Sequence, residues 1–215
     1  MENDGRRVIH RVRNTWLRSP NMMIIGEQVL SRGECDTIIQ MHKSLPFTEV
    51  DYDVDGIPNK ICPKDPSIME HPWKYVARDG KEFAMLPNDS EYFEQAIELC
   101  FDYLPKNDDY GGINYVQIIR YPEECSFQFH KDSADDNDTA TAIFFLNEEY
   151  EGGRLNVEGH QIMPRRGTMV TFNNSTERWH GVEPVYRGER YVFAIWFGAV
   201  EVTEEEVDDN DNTEV

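Results

Sequence analysis

From residue 113 to residue 198 the chain breaks into short β-rich runs separated by turns, and this rhythm limits the fold more than any other feature. The runs are residues 113–121, 139–146, 154–157, 168–172 and 190–198. Turns are expected at Glu151-Gly152-Gly153, Pro164-Arg165-Arg166-Gly167 and Tyr186-Arg187-Gly188. Many short strands at such spacing indicate an antiparallel sandwich or barrel. Upstream, residues 22–30 read as a strand. Ser31 then caps a helix, with Glu34 completing a capping box. Cys35, Ile38 and Ile39 form its apolar face, with His42 either continuing that face or lying at the helix surface, and the surface is expected over a role as metal ligand. Asn88 with Glu91 opens a second helix by the same logic. Its buried face is Phe93, Ala96, Ile97, Cys100 and Leu104, and Pro105 stops it. Residues 46–87 carry no clean period and read as loops and short strands facing a substrate. The expected class is mainly β with flanking helices (α+β).

Charge divides the chain into three parts: a basic arm (1–20), one domain (21–200, with its β core at 113–198) and an acidic tail (201–215) expected to be disordered. The arm holds five arginines against Glu2 and Asp4, and the tail holds eight acids and no base. With a net charge of −20, the acidic body repels phosphate backbones, so nucleic acid is not expected as a partner. A neutral or cationic substrate suits it. No apolar run reaches the ~20 residues that span a bilayer, and the start lacks a secretory segment. We expect a soluble, cytoplasmic protein without membrane association. Cys35, Cys62, Cys100 and Cys125 are widely spaced and are expected to be reduced thiols.

The chemistry concentrates in His130-Lys131-Asp132 and, 48 residues later, His180. Residues two apart on a strand project from one face, so His130 and Asp132 can grip one ion with Lys131 turned away. A histidine from a neighbouring strand adds a third ligand. Two imidazoles and a carboxylate on one face leave three open positions, the arrangement of non-haem iron(II) oxygenases. A chelating dicarboxylate co-substrate needs a cation at its far end. Arg190, ten residues after His180, offers a planar fork for it. Arg190, Val192, Ala194 and Trp196 share one strand face, so Arg190 and Trp196 both point into the barrel. Asp135, Asp136 and Asp138 would form an acidic lip near the metal loop.

The succession Val116-Gln117-Ile118-Ile119-Arg120-Tyr121, Phe129-His130-Lys131-Asp132, Ala142-Ile143-Phe144-Phe145-Leu146-Asn147, Glu151-Gly152-Gly153-Arg154-Leu155, residues 164–172, His180-Gly181-Val182-Glu183-Pro184-Val185 and residues 190–197 resembles the catalytic domain of prolyl 4-hydroxylases, within the iron(II)- and 2-oxoglutarate-dependent dioxygenases. It is similar, too, to the oxygen-sensing prolyl hydroxylases. The resemblance implies a double-stranded β-helix (jelly roll) buttressed by N-terminal helices. It implies iron held by His130, Asp132 and His180, and the distal carboxylate of 2-oxoglutarate held by Arg190. Tyr121 matches a tyrosine that lines the co-substrate pocket, and Trp196 a tryptophan near the substrate. Two positions depart from the family. Phe127 stands where many members carry a tyrosine, and Phe145 where the oxygen sensors place a tyrosine whose hydroxyl helps hold the distal carboxylate. Phenylalanine cannot donate that bond. Arg190 then acts alone or with Thr141, a candidate because it shares a face with Phe145.

The activity implied is hydroxylation of a C–H bond, with dioxygen consumed and 2-oxoglutarate converted to succinate and CO2, and with ascorbate as an accessory reductant. A prolyl residue in a protein or peptide, of cationic character, is the leading substrate. A free amino acid or another side chain is the alternative. The rivals from other classes are a catalytically silent jelly-roll binding module and a nucleic-acid dealkylase, which should show a basic groove. Oligomeric state is not legible.

Overall fold

A computed structural model describes residues 23–26, 28–53, 61–88, 90–104, 112–132, 138–162, 165–173 and 179–198. The basic arm, the acidic tail, Asp135 and Asp136 lie outside the described residues, as does the side chain of Asp138.

The strands in chain order are β1 (Met23–Gly26), β2 (Val50–Tyr52), β3 (Ile61–Pro63), β4 (Trp73–Val76), β5 (Glu82–Leu86), β6 (Gly112–Tyr121), β7 (Phe127–His130), β8 (Asp138–Phe145), β9 (Tyr150–Gly152), β10 (Leu155–Val157), β11 (His160–Ile162), β12 (Met169–Asn173), β13 (His180–Val182), β14 (Val185–Gly188) and β15 (Arg190–Gly198). Two helices, α1 (Arg32–Ser44) and α2 (Glu91–Cys100), precede the main run of strands. A seven-stranded sheet in the order β1-β12-β8-β15-β6-β5-β4 accompanies a four-stranded sheet in the order β11-β10-β13-β7. Two ribbons, β14-β9 and β2-β3, complete the antiparallel jelly roll.

Side-chain alternation on β15 sorts its residues between two cores. Tyr191, Phe193, Ile195 and Phe197 pack with Cys35, Ile38 and Ile39 of α1 and with Ala96 and Cys100 of α2. Val192 and Ala194 pack with Leu155, Val157 and Val182 of the smaller sheet. The larger sheet is therefore covered on both faces: helices buttress one side, and the functional cavity lies on the other. The repeat in β8 is the same, with Ala142 and Phe144 on the helix side and Ile143 and Phe145 on the cavity side.

Ser31 caps α1 in the full reciprocal box with Glu34, as the sequence predicts. Four expectations need correction. The first strand stops at Gly26. Gln28 then takes a positive φ of 53°, and Leu30 N–H donates to Gly167 O at 3.2 Å. Helix α2 is capped by Ser90, whose hydroxyl accepts from Phe93 N–H. Asn88 instead ties the loop to β6, donating to the carbonyls of Ile113 and Asn114. Residues 185–188 are strand, not turn, because β14 pairs with β9. Finally, His42 is buried at 1% exposure, on the face set by Cys35, Ile38 and Ile39, rather than lying at the helix surface.

Candidate metal and co-substrate site

His130 closes β7 and His180 opens β13, and the two are direct partners in the register of these strands. Their rings lie 4.2 Å apart between centroids. Asp132 lies two residues beyond β7, so the strand pleat does not orient it as the sequence reading supposed. Its carboxylate is held instead from across the larger sheet. Thr141 Oγ1 donates to Oδ2 at 2.8 Å, and Trp196 Nε1 donates to the same oxygen at 3.2 Å. The other oxygen, Oδ1, lies 3.5 Å from His130 Nε2 and 3.5 Å from His180 Nε2. The ligand atoms of these three residues all fall within 4.8 Å of one another. One carboxylate oxygen thus faces the two ring nitrogens while its twin is fixed by two donors.

His130 Nδ1 lies 2.9 Å from the carbonyl of Gln128. With Nδ1–H donating there, Nε2 keeps a lone pair aimed at the gap between the three side chains. Burial acts most strongly on Asp132, raising its pKa. The neighbouring His130 and His180 rings and the hydrogen bond from Thr141 outweigh it, so the carboxyl sits below its ordinary value. An ionised carboxylate and two imidazoles make a donor set suited to a divalent transition metal with open positions left over.

Arg190 opens β15 opposite Tyr121, the last residue of β6. It is 1% exposed. Its guanidinium carbon lies 4.6 Å from the Tyr121 ring and 5.2 Å from the Phe145 ring. Its Nε and Nη1 are buried without hydrogen-bond partners. Among the described residues no carboxylate pairs with it. A buried cation with two unpartnered nitrogens and no carboxylate beside it is costly, which makes this end of the cavity a receptor for an anion. The residues present therefore fit both a metal and an acidic co-substrate.

A cavity of about 650 Å³ joins the two ends, and His130, Asp132, His180, Arg190, Tyr121, Thr141 and Trp196 all line it. Thr141, expected beside Arg190, is at the other end. Its partner in register on β15 is Trp196, six residues from Arg190, or about 20 Å along a strand. A shared face does not imply a shared depth. Trp196 likewise braces Asp132, and its ring stacks on Tyr115 at 4.6 Å.

Sequence reasoning missed the wall built by the β4–β5 hairpin. Tyr75, Phe83 and Lys81 line the cavity. Lys81 is 3% exposed, donates to Ser126 O at 2.9 Å, pairs with Asp79 and lies over the Phe127 ring. The available signal was Asp79-Gly80 between two β-rich runs, a tight hairpin signature. Gly80 takes a φ of 87° there. Tyr150, close to Arg190, was missed as well.

Residues 116–198 match the family described as the 2OG-Fe(II) oxygenase superfamily. The match spans the stretch that carries His130, Asp132, His180 and Arg190. Prolyl 3-hydroxylase 2 of Rattus norvegicus is 33% identical to it over 64 residues, and prolyl 3-hydroxylase 1 of Homo sapiens 34% over 64 residues. Each alignment covers 26% of this chain and only 9% of the relative. Among solved structures, a viral collagen prolyl hydroxylase from Paramecium Bursaria Chlorella virus-1, as a 2OG complex, superposes with a TM-score of 0.56. It is 21% identical and covers 83% of this chain and 96% of its own. A prolyl hydroxylase from Trichoplax adhaerens, in complex with a hypoxia inducible factor peptide fragment, superposes at 0.57 with 16% identity, covering 82% and 83%. These likenesses show that the chain shares their jelly-roll fold. Among the described residues no helix is long and apolar enough to cross a membrane.

Proposed function

We propose that this chain is an iron(II)- and 2-oxoglutarate-dependent dioxygenase that hydroxylates a prolyl residue of a protein or peptide. The observation that carries the reading is one cavity with a His-Asp-His cluster at one end and a buried guanidinium with unpartnered nitrogens at the other. His130, Asp132 and His180 would hold the metal, and Arg190 the far carboxylate of 2-oxoglutarate, beside Tyr121. Bound metal and 2-oxoglutarate would allow dioxygen to act as the oxidant, with one of its oxygen atoms ending in succinate as CO2 is lost and the other in a hydroxylated C–H bond. Ascorbate serves as the reductant that keeps the iron ferrous.

The protein's own residues contribute placement. Thr141 and Trp196 fix the Asp132 carboxylate, and Gln128 O fixes the His130 tautomer. Val192, Ala194 and Leu155 line the walls and keep the site dry. Both solved neighbours named above are prolyl hydroxylases, one holding a peptide, which supports a peptidyl substrate. The described rim mixes Asp53 and Asp79 with Arg78 and Lys131, so it gives a cationic substrate no preference.

The test is turnover of proline-containing peptides with iron(II), 2-oxoglutarate and ascorbate, reading succinate and a mass gain of one oxygen. Succinate with a modified prolyl residue is expected. Modification of free proline alone would move the substrate to amino acids. Absence of succinate under all conditions would leave a silent binding module.

A further inference from the structure

Strand β6 changes face near its start. Tyr115, Gln117, Ile119 and Tyr121 line the functional cavity, so strict alternation would send Ile113 there as well. Ile113 packs instead with the helix-side core. It pairs with Phe197 of β15, while Tyr115 pairs with Trp196. The register shift between these two pairs leaves Asn114 as the extra residue of a β-bulge. In an unbroken ladder that kept Tyr115 opposite Trp196, the polar Asn114 would face Phe197 and the helix-side core. The bulge leaves Asn114 exposed and keeps Tyr115 on the cavity side.

Two contacts fix the bulge. The Asn88 side-chain amide donates to Ile113 O and to Asn114 O, each at 3.3 Å. A Cβ at Gly198 would lie 2.5 Å from Asn114 Oδ1, so glycine at that position leaves the Asn114 side chain its space. The Tyr115 ring then lies on the Trp196 indole, with centroids 4.6 Å apart and planes 16° from parallel. Both residues are half-buried. The N–H of the same indole donates to Asp132 Oδ2 at 3.2 Å. An indole swings about two side-chain bonds, and a ring packed flat against it restricts both.

We propose that Tyr115 is a positioning residue for the metal site: its ring, placed by the bulge at Asn114, holds the Trp196 indole so that the N–H stays on Asp132. The inference rests on the metal reading above and adds a residue that acts through the indole rather than on a ligand.

The test is titration of the full chain with Mn(II), in the wild type and in a double-variant cycle. Tyr115→Leu is expected to weaken binding about fivefold, within the range that a stacked aromatic pair is worth. Tyr115→Phe keeps the ring and should bind within about twofold of the wild type. In a Trp196→Phe background, which lacks the indole N–H, Tyr115→Leu should change affinity by less than about twofold. A ring that merely supports the fold would weaken Mn(II) by the same factor in both backgrounds, and that result would overturn the proposal. Wild-type affinity in Tyr115→Leu, or an equal loss in Tyr115→Phe and Tyr115→Leu, would overturn it too. Tyr115→Val, β-branched as strands favour, gives the same comparison if the leucine variant does not fold. His180→Ala separates the metal reading from the role of Tyr115. If it binds Mn(II) as the wild type does, both fail. If it loses the ion while Tyr115→Leu binds normally, only the role of Tyr115 fails.

Discussion

Trp196 donates its indole N–H to Oδ2 of Asp132 at 3.2 Å, and Thr141, its register partner on β8, donates to the same oxygen at 2.8 Å. The carboxylate that lies outside its own strand is therefore aimed by two residues of the larger sheet. Thr141→Val keeps the volume and Trp196→Phe keeps an aromatic ring, and each removes one donor. Each should weaken Mn(II) or Fe(II) binding about 10- to 100-fold, the usual effect of losing a group that orients a metal ligand. Metal titration checks this, and the double variant should lose more than the sum, since each single variant keeps one donor on the carboxylate. Unchanged affinity in both single variants would mean that Asp132 needs no brace.

A metal that binds only the folded chain should raise its stability. At a hundredfold excess over the dissociation constant the gain is about 2.7 kcal/mol. For a chain of this size that corresponds to a melting shift of about 5–10 °C. Mn(II) should produce the shift in the wild type and not in His180→Ala or Asp132→Ala, and a chelator should reverse it. An equal shift in all three proteins would place the ion elsewhere.

The parts of this site that could be read from sequence are those set by local periodicity. Alternation along residues 190–196 correctly sends Arg190 and Trp196 into one cavity, and the His130–Asp132 spacing brings two ligands near each other. What periodicity does not carry is register. Thr141 and Phe145 share a face, yet pairing with β15 sets Thr141 opposite Trp196 and Phe145 opposite Val192. Tyr150 was invisible for a similar reason, since its approach to Arg190 depends on Gly153 and Gly188, which lie far apart in the chain. His42 was half legible: its position on α1 continues the buried stripe, while its polarity argues for the surface, and position decides.

Arg190 supplies a test of buried charge without any ligand. Its guanidinium is 1% exposed and rests on the Tyr121 and Phe145 rings, with no carboxylate partner among the described residues. Replacing a buried ion by an apolar side chain of similar volume is often neutral or stabilising by about 1–4 kcal/mol. Arg190→Met should therefore melt at or above the wild-type temperature without ligand, and 2-oxoglutarate should no longer stabilise it. A loss of several degrees in the unliganded variant would show that the charge already has a partner inside the protein.

The buried His42 makes stability depend on pH in a defined window. Burial pulls its pKa from 6.5 down to about 4, with the Lys74 charge adding to the effect. Neither ring nitrogen has a hydrogen-bond partner, and the Glu82 carboxylate lies 3.8 Å from Nε2. Around the ring stand Lys74, which donates to His42 O at 3.1 Å, and Tyr191, edge-on at 5.5 Å. Arg120 lies beyond, paired with both Glu82 and Glu189. Because the folded pKa is depressed, the unfolded chain binds the proton first as pH falls. The contribution is complete above pH 6.5, declines below it, and levels off near pH 4. Its full size is on the order of 3 kcal/mol, with about 2 kcal/mol gone by pH 5. His42→Leu removes this titration and leaves the neighbouring acids in place. Urea unfolding at pH 7.5 and pH 5 should show the wild type losing about 2 kcal/mol more than the variant between the two. Equal losses would mean that the imidazole is protonated, and paired with Glu82, in the folded protein.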